Sequence, residues 1–348
     1  MNKVNIGING YGRIGRVIHR ICDENPNIEV LAINDINEDI DNVAYLANYD
    51  STYGPRNDKL IVDKNTLKSR DINTAVFCED NISNVPWKGA GVSIVIDSSG
   101  ILSNLKSSRD LRDQVEKVIV TNSPDESLID KTIIFGVNHD SIDVRNDFLI
   151  SSSICDAIAF APLAELIDRE FHIKEGFLTT LHPWLGYQNL LDGPSKSYAQ
   201  PGKIYDNYAL GRTSVMTLIP KYTSAISATT KVLTNLEDKF TAYSYRIPTS
   251  IVSSADATIK VEKEVSLEHL TDLLVEYEKN KPGIIHNNYD ALVSTDFIKT
   301  NYSVIVDHRF IQVKNNYIKL MTWYDNEWGY SSRVVDLIDY LGSASNNG

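Results

Sequence analysis

Apolar and polar positions change rhythm once along this chain. Up to about residue 150, short β-branched and apolar runs (VNIGIN, IEVLAIND, GVSIVIDSSG, KVIVTN, KTIIFGVN) alternate with amphipathic stretches such as GRIGRVIHRI. Near-continuously apolar strands separated by helices are typical of a parallel sheet covered on both faces, so this part is predicted to be an α/β domain. Beyond about residue 150 the strands lengthen and alternate, in GFLTTLH, FTAYSYRIP, SADATIKVEKE, ALVSTDF, NYSVIVDH and NYIKLMTWYD. A period of two predicts a mainly antiparallel sheet with one covered face, hence a second domain of α+β type.

Three helical patterns accompany these strands. TSVMTLIPKYTSAISATTKVL (213 to 233) carries Pro220 as a kink or boundary, and SLEHLTDLLVEYEKN places Leu267, Leu270, Leu273 and Leu274 on one face. RVVDLIDYL has Val334, Val335, Ile338 and Leu341 at helical spacing, before a polar tail, SASNNG, that is expected to fray. Residues 186–212 show no period, and Leu190, Leu191, Tyr198 and Ile204 are expected to anchor them as a packed loop.

Composition narrows the class. A chain of 348 residues, 42% hydrophobic and 23% charged, is predicted to be soluble and divided into two domains. The formal net charge of −12 opposes nucleic acid and anionic lipid over most of the surface, so an anionic ligand needs a local pocket. No run of 18 apolar residues is present and the start, MNKVNIGING, lacks a signal-peptide pattern, so no membrane association is expected. Cys22, Cys78 and Cys155 are too few and too scattered for a disulfide framework or a CxxC metal knuckle. The expectation is therefore a cytoplasmic protein without a metal site.

Two places carry candidate chemistry. NIGINGYGRIGR sets Gly10, Gly12 and Gly15 after a strand and at a helix start, in the spacing that serves a tight turn, close approach to a pyrophosphate, and helix–strand packing. The next strand ends in Asn34 and Asp35, and Asp35 lies 20 residues past the last glycine, where an acid holds a ribose 2′-hydroxyl and disfavours a 2′-phosphate. NAD is thus expected over NADP, against the alternative that Asp35 caps a turn and the glycines only pack. In SSSICDAIAFAP, Cys155 opens a helical pattern, where the dipole favours a thiolate that should be alkylated faster than Cys22 or Cys78. Pro162 is expected to kink or restart that helix. His182 ends the strand TTLH 27 positions later and would supply a base. From spacing alone that pairing stays open, as does a structural role for each residue.

The motifs NIGINGYGRIGR, Asn34–Asp35, SSSIC with its later AP, TTLH followed by DGPS, YRIPT and above all WYDNEWGYSSRVVDL resemble the glyceraldehyde-3-phosphate dehydrogenase family, including its erythrose-4-phosphate branch, from residue 4 to about 341. The resemblance implies an NAD-binding Rossmann domain over 1–152, joined by a final helix at 329–342, and a catalytic domain over 153–328. It implies Cys155 as nucleophile and His182 as its base. It further implies the Arg13 and Ile14 backbone at the pyrophosphate, Asp35 at the adenosine ribose, Ser99 and Thr121 along the cofactor, and Asn326 at the nicotinamide amide. The implied assembly is a homotetramer acting on a small aldehyde through a thioester.

The chain departs from that family around the nucleophile. Where the family reads Ser-Cys-Thr-Thr-Asn-Cys, with hydroxyls that receive inorganic phosphate, this chain has Ile154, Cys155, Asp156, Ala157, Ile158 and Ala159. Like charges about 4 Å apart repel by roughly 1 kcal/mol in water and by several in a partly buried site, so Asp156 is expected to disfavour phosphate. A threonine and an arginine of the family read here as Leu185 and Leu210, and its Thr-Gly pair reads as Thr223 and Ser224. Arg246 is retained, and Asp156, Thr223, Arg246 and Arg212 are the substrate-site candidates. Three readings follow: NAD-dependent oxidation of a small anionic aldehyde with an altered substrate or acyl acceptor such as water, ordinary phosphorylating glyceraldehyde-3-phosphate dehydrogenase activity, or a non-catalytic NAD-binding regulator.

Overall fold

The structure, a computed structural model, describes residues 3–346. The chain divides into two compact units, one running to Ser153 and resuming at Ser331, the other spanning Ile154–Tyr330.

The first unit opens with β1 (Val4–Asn9), α1 (Arg13–Cys22), β2 (Ile28–Asn34) and α2 (Ile40–Asn48). A short meander follows, β3 (Ile61–Asp63), β4 (Thr66–Ser69) and β5 (Ile72–Phe77), then β6 (Ile94–Asp97), α3 (Leu102–Ser107), β7 (Lys117–Val120), β8 (Lys131–Thr132) and β9 (Leu149–Ser151). These form one nine-stranded sheet in the order β3-β4-β5-β2-β1-β6-β7-β9-β8. From β5 to β8 every neighbouring pair is parallel, and only β3–β4 and β4–β5 are antiparallel. Ile6, Ile8, Ile33, Ile96 and Ile119 are fully buried along it, as expected for a sheet covered on both faces. The strand order reverses between β1 and β6, the point at which a Rossmann sheet receives its ligand.

The second unit contains α4 (Cys155–Phe171), β10 (Ile173–Pro183), β11 (Ile219–Tyr222), α5 (Ala225–Thr230), β12 (Phe240–Ile247), β13 (Ser253–Val261) and α6 (Leu267–Asn280). It continues with β14 (Ile285–Asn288), β15 (Val304–Asp307), β16 (Gln312–Lys314) and β17 (Tyr317–Tyr324). Its eight-stranded sheet runs β11-β12-β10-β13-β17-β15-β14, with β16 paired to β17. Pairing is mainly antiparallel, with β10–β12 and β14–β15 as the parallel exceptions. The last helix, α7 (Trp328–Asn346), enters the first unit from Ser331 on.

Several local expectations are corrected. Residues 213–233 are not one helix: Ile219–Tyr222 forms β11, antiparallel to β12, and only Ala225–Thr230 is helical. Pro220 lacks an N–H, which breaks a helix but is tolerated on a terminal strand. ALVSTDF is no strand; the Asp296 carboxylate accepts the Val293 N–H at 2.8 Å and closes a 3₁₀ turn over Ser294–Phe297. The strand expected there lies earlier, at β14. Leu190, Leu191, Tyr198 and Ile204 do not anchor a packed loop, for all four are exposed, Leu191 by 81%. That segment is tied by its backbone instead, Gly193 N–H to Gly211 O at 2.9 Å, with a bridge between Lys196 and Ile204. Pro162 sits inside an uninterrupted 17-residue α4. The tail expected to fray remains helical to Asn346, and residues 347–348 lie outside the described residues.

The glycine loop yields a contrast in stability. Gly10 has φ +83°, and a Cβ there would meet the Ser99 backbone at 2.5 Å, whereas a Cβ at Gly12 meets nothing within 4 Å. Gly10→Ala should therefore destabilise the first unit by about 2 kcal/mol or more, and Gly12→Ala by no more than about 1 kcal/mol. Thermal unfolding of both variants checks this, and equal melting temperatures would contradict it.

Candidate functional site

The glycine loop and its surroundings are built for close approach. α1 opens at Arg13 immediately after Gly12, which offers no side-chain cap, and the first-turn amides of Arg13 and Ile14 stand at that helix start. A Cβ at Gly15 would stand 2.4 Å from the Gly10 carbonyl, fixing that position as glycine for packing. Asp35 lies beside the loop, its Oδ2 accepting the Tyr11 N–H at 2.6 Å and its Oδ1 the Asn37 N–H at 3.0 Å. It thus caps a turn, and its carboxylate retains further lone pairs. Asn34 is an interior residue: its amide donates to Asn9 Oδ1 at 2.7 Å and Glu79 O at 2.9 Å, which uses both amide protons. Its side chain therefore holds the sheet end together. Ser99 and Thr121 follow β6 and β7 and both bond to Asp97, Ser99 Oγ to the carboxylate at 2.6 Å and Thr121 N–H to the carbonyl at 3.0 Å.

In the second unit, strand register assembles the other candidates. His182 on β10 lies opposite Arg246 on β12, and Ile219 on β11 lies opposite Arg246 from the other side. Cys155 begins α4 as expected, and its Sγ stands 3.6 Å from His182 Nε2. His182 Nδ1 donates to the Pro183 carbonyl at 2.8 Å, which fixes the tautomer and turns the lone pair of Nε2 toward the sulfur. Asp156 is buried at 7% exposure. Its Oδ1 accepts the Tyr324 hydroxyl at 2.8 Å and lies 3.6 Å from Cys155 Sγ, while its Oδ2 accepts the Thr223 hydroxyl at 3.2 Å. Arg246 is 93% buried, being 7% exposed, and its Nε has no hydrogen-bond partner among the described residues. A buried polar group left without a partner calls for an explanation.

The electrostatics correct one expectation. Burial, then the Asp156 charge, push the Cys155 thiol well above its ordinary range, and Arg246 only partly opposes them. The helix start is present, yet the resting group is a neutral thiol and not the ready thiolate read from sequence. Burial first, and Arg246 next, lower His182 to about 4, so the imidazole is neutral too. Burial works against ionisation of Asp156, but His182, the Tyr324 hydroxyl, Arg246 and Lys221 outweigh it and hold the carboxyl below its usual range. The site is thus a neutral thiol–imidazole pair beside a fixed carboxylate.

Lys221 escaped the sequence reading. It lies on β11 near Arg246, Asp156 and Cys155, and burial followed by Arg246 lowers its ammonium pKa. It also lines a cavity of about 500 Å³ with Asp206, Asn207, Pro220, Tyr222 and Tyr243. Tyr324 was missed as well, although it lies within the WYDNEWGY motif. Arg212 does not join the cluster: it is exposed, and its Nε donates to Asp192 at 2.8 Å. Asn326 is buried, following Asp325, whose carboxylate caps α7 through the Glu327 and Trp328 N–H groups. Asn326 Oδ1 has no partner among the described residues.

Comparison with known proteins places this geometry. Residues 4–105 match the glyceraldehyde 3-phosphate dehydrogenase NAD binding domain, and residues 154–326 match the glyceraldehyde 3-phosphate dehydrogenase C-terminal domain. Glyceraldehyde-3-phosphate dehydrogenase 1 of Kluyveromyces marxianus is 36% identical over 97% of this chain and 99% of its own. The chain belongs to the glyceraldehyde-3-phosphate dehydrogenase family. The same enzyme of Eremothecium gossypii is 36% identical over 98% of this chain and 99% of its own, and the cytosolic enzyme of Chlamydomonas reinhardtii is 36% identical over 96% of each. Membership makes the protein an NAD-dependent dehydrogenase with a Rossmann domain, as the resemblance implied. The open space at Gly12 fits the close approach of a dinucleotide to the loop. No helix among the described residues is long and apolar enough to cross a membrane.

Asp156 should slow the chemistry of this family's thiol in its resting state. Alkylation of Cys155 by iodoacetamide at neutral pH is expected to be slow and to accelerate about tenfold in Asp156→Asn, the equivalent of one pKa unit. Peptide mass spectrometry separates Cys155 from Cys22 and Cys78; an unchanged rate at Cys155 would remove Asp156 as the cause of the raised thiol.

Proposed function

We propose that this protein oxidises a small anionic aldehyde with NAD through a thioester on Cys155, with an acyl acceptor altered from inorganic phosphate to water. The observation that carries the altered acceptor is the engagement of Thr223: its hydroxyl donates to Asp156, so it is already committed within the protein.

The chain's own groups supply the following steps. The Cys155 thiol adds to the aldehyde carbon, and His182 Nε2 relays the thiol proton to the carbonyl oxygen, giving a hemithioacetal. His182 then takes the hydroxyl proton as the thioester forms. The glycine loop, the Arg13 and Ile14 amides, Asp35, Ser99, Thr121 and the Asn326 amide would hold NAD, which would supply the hydride acceptor. Arg246 and Lys221 hold the substrate's anionic group. His182 releases the hydroxyl proton to solvent. In deacylation water attacks the thioester carbon, and His182 accepts its proton while Asp156 orients it by accepting its other hydrogen. The adduct collapses with the C–S bond breaking as His182 returns the proton to the Cys155 sulfur and the carboxylic acid leaves. Asp156 is held too acidic to act as the base itself.

The ordinary phosphorylating reaction is the second reading. Lys221 favours it, since two cations, Lys221 and Arg246, stand against one carboxylate, Asp156, leaving a local excess of one positive charge for a free phosphate. Its relatives' names favour it too.

We further propose a cytoplasmic homotetramer that needs no nucleic acid or membrane. The exposed Leu190, Leu191, Tyr198, Ile204, Tyr208 and Met216 support self-association, because apolar groups so close in sequence are costly to leave in water. The cytosolic Chlamydomonas relative supports the compartment. Sedimentation of the purified protein should give a mass well above 39.0 kDa, and a monomer would refute the assembly.

The function is tested by NADH formation across short aldehydes with and without a phosphate or carboxylate group, each with and without added phosphate or arsenate. The water-acceptor reading expects a rate independent of phosphate and a free carboxylic acid product; acceleration by phosphate or arsenate selects the second reading. Lys221→Thr should raise KM for the anionic aldehyde about tenfold, one lost charge-assisted contact, with a smaller effect on kcat. No NADH from any aldehyde would leave the non-catalytic NAD-binding reading.

A further inference from the structure

The donor atoms of Cys155, Asp156 and His182 lie within 4.8 Å of one another. Cysteine spacing excludes a metal knuckle, but it says nothing of donors brought together by α4 and β10. A tetrahedral zinc ion takes thiolate sulfur at about 2.3 Å and imidazole nitrogen or carboxylate oxygen at about 2.0–2.2 Å, so the edges from sulfur to its neighbouring ligands measure about 3.5 Å. Cys155 Sγ stands 3.6 Å from His182 Nε2 and 3.6 Å from Asp156 Oδ1. The supporting contacts also match those of a metal site. His182 Nδ1 donates to a backbone carbonyl, leaving Nε2 as the ligand, and the hydroxyls of Tyr324 and Thr223 orient the carboxylate.

We infer that Cys155, Asp156 and His182 form a three-ligand site for a zinc-class divalent cation, with a fourth position open to water or an anion, and that its occupancy switches off the thiol–imidazole pair. The ligand set is one sulfur, one nitrogen and one oxygen, which suits a borderline-soft ion and not calcium or magnesium. As the metal–sulfur bond forms, the thiol proton leaves to solvent and the electron pair of Nε2 becomes a ligand pair, so nucleophile and base are lost together. Arg246 and Lys221 face the same cluster and oppose a dication, so the ion exchanges readily and does not act as a structural fixture. Asp156 makes the difference between this site and a bare cysteine–histidine pair.

Inhibition rests on the function proposed above; binding does not. Cobalt(II) added to the full-length, chelator-treated protein under a non-thiol reductant should produce a thiolate-to-cobalt charge-transfer band with tetrahedral d–d absorption, and zinc should displace it. Cys155→Ser should abolish the charge-transfer band, and Asp156→Asn and His182→Gln should each weaken cobalt binding at least tenfold, with circular dichroism confirming that they fold. In the unaltered protein, zinc should protect Cys155 from iodoacetamide. No band, a band that survives Cys155→Ser, or undiminished cobalt affinity in both Asp156→Asn and His182→Gln would overturn the site. A band without dehydrogenase activity on any aldehyde would support the site while refuting the proposed reaction.

Discussion

An ionised carboxylate buried beside a thiol is the constraint on which the second unit's architecture depends. Asp156 has 7% of its surface in contact with solvent. A buried charge without partners costs several kcal/mol, and removing one partner from a buried pair costs about 3–5 kcal/mol. The groups that meet this cost come from separate strands: Arg246 from β12, Lys221 from β11, Tyr324 from the end of β17, with Thr223 one residue beyond β11. The strand order of the sheet, with β12 beside β10, β11 beyond it, and β17 two strands away on the other side, thus converges on one carboxylate. Groups that share such a network act as a unit, and substitutions within it will not add independently.

Magnitudes decide how the helix start and the carboxylate compete for Cys155. The positive end of a helix is worth about 0.3–1 kcal/mol to a nearby anion at an exposed site. A like charge at about 4 Å costs about 4 kcal/mol at an effective dielectric of 20. Asp156 Oδ1 stands 3.6 Å from the sulfur, so the carboxylate and burial prevail and the thiol stays protonated. In the proposed reaction attack would then begin with proton transfer to His182, whose neutral imidazole has its Nε2 lone pair aimed at the sulfur. The base has a necessary role here because the thiolate is not preformed.

The sequence disclosed the architecture well where periodicity was strong and local. The apolar runs became the parallel sheet of the first unit, and GFLTTLH, FTAYSYRIP and SADATIKVEKE became β10, β12 and β13. It failed where pairing partners decide the outcome. Residues 219–222 take the strand conformation because β12 offers them a ladder, a fact held some twenty residues away. Leu190 and Leu191 look like core residues to any reading of hydrophobicity, since apolar character alone does not say what covers a side chain. At the site, Cys155, His182, Arg246 and Asp156 stood out through motif and departure from motif. Lys221 did not, because a lysine after a proline in an unrecognised edge strand carries no local signal; only the β11–β12 register places it near the others. The structural bonds of Asn34 to Asn9 and Glu79 were hidden for the complementary reason, being invisible until the sheet is assembled.

Lys221 also changes the sense of the departure that first drew notice. Read along the chain, Asp156 replaces a donor by a negative charge, and the expected effect is repulsion of any anion. In three dimensions that charge is met by two cations, one of them from a strand that the motif does not contain. The donor geometry around the carboxylate is fixed by the protein itself: Thr223 and Tyr324 point their hydroxyls at Asp156, and Arg246 keeps an unpaired Nε. Selectivity between acyl acceptors rests on such geometry and desolvation, which net charge does not measure.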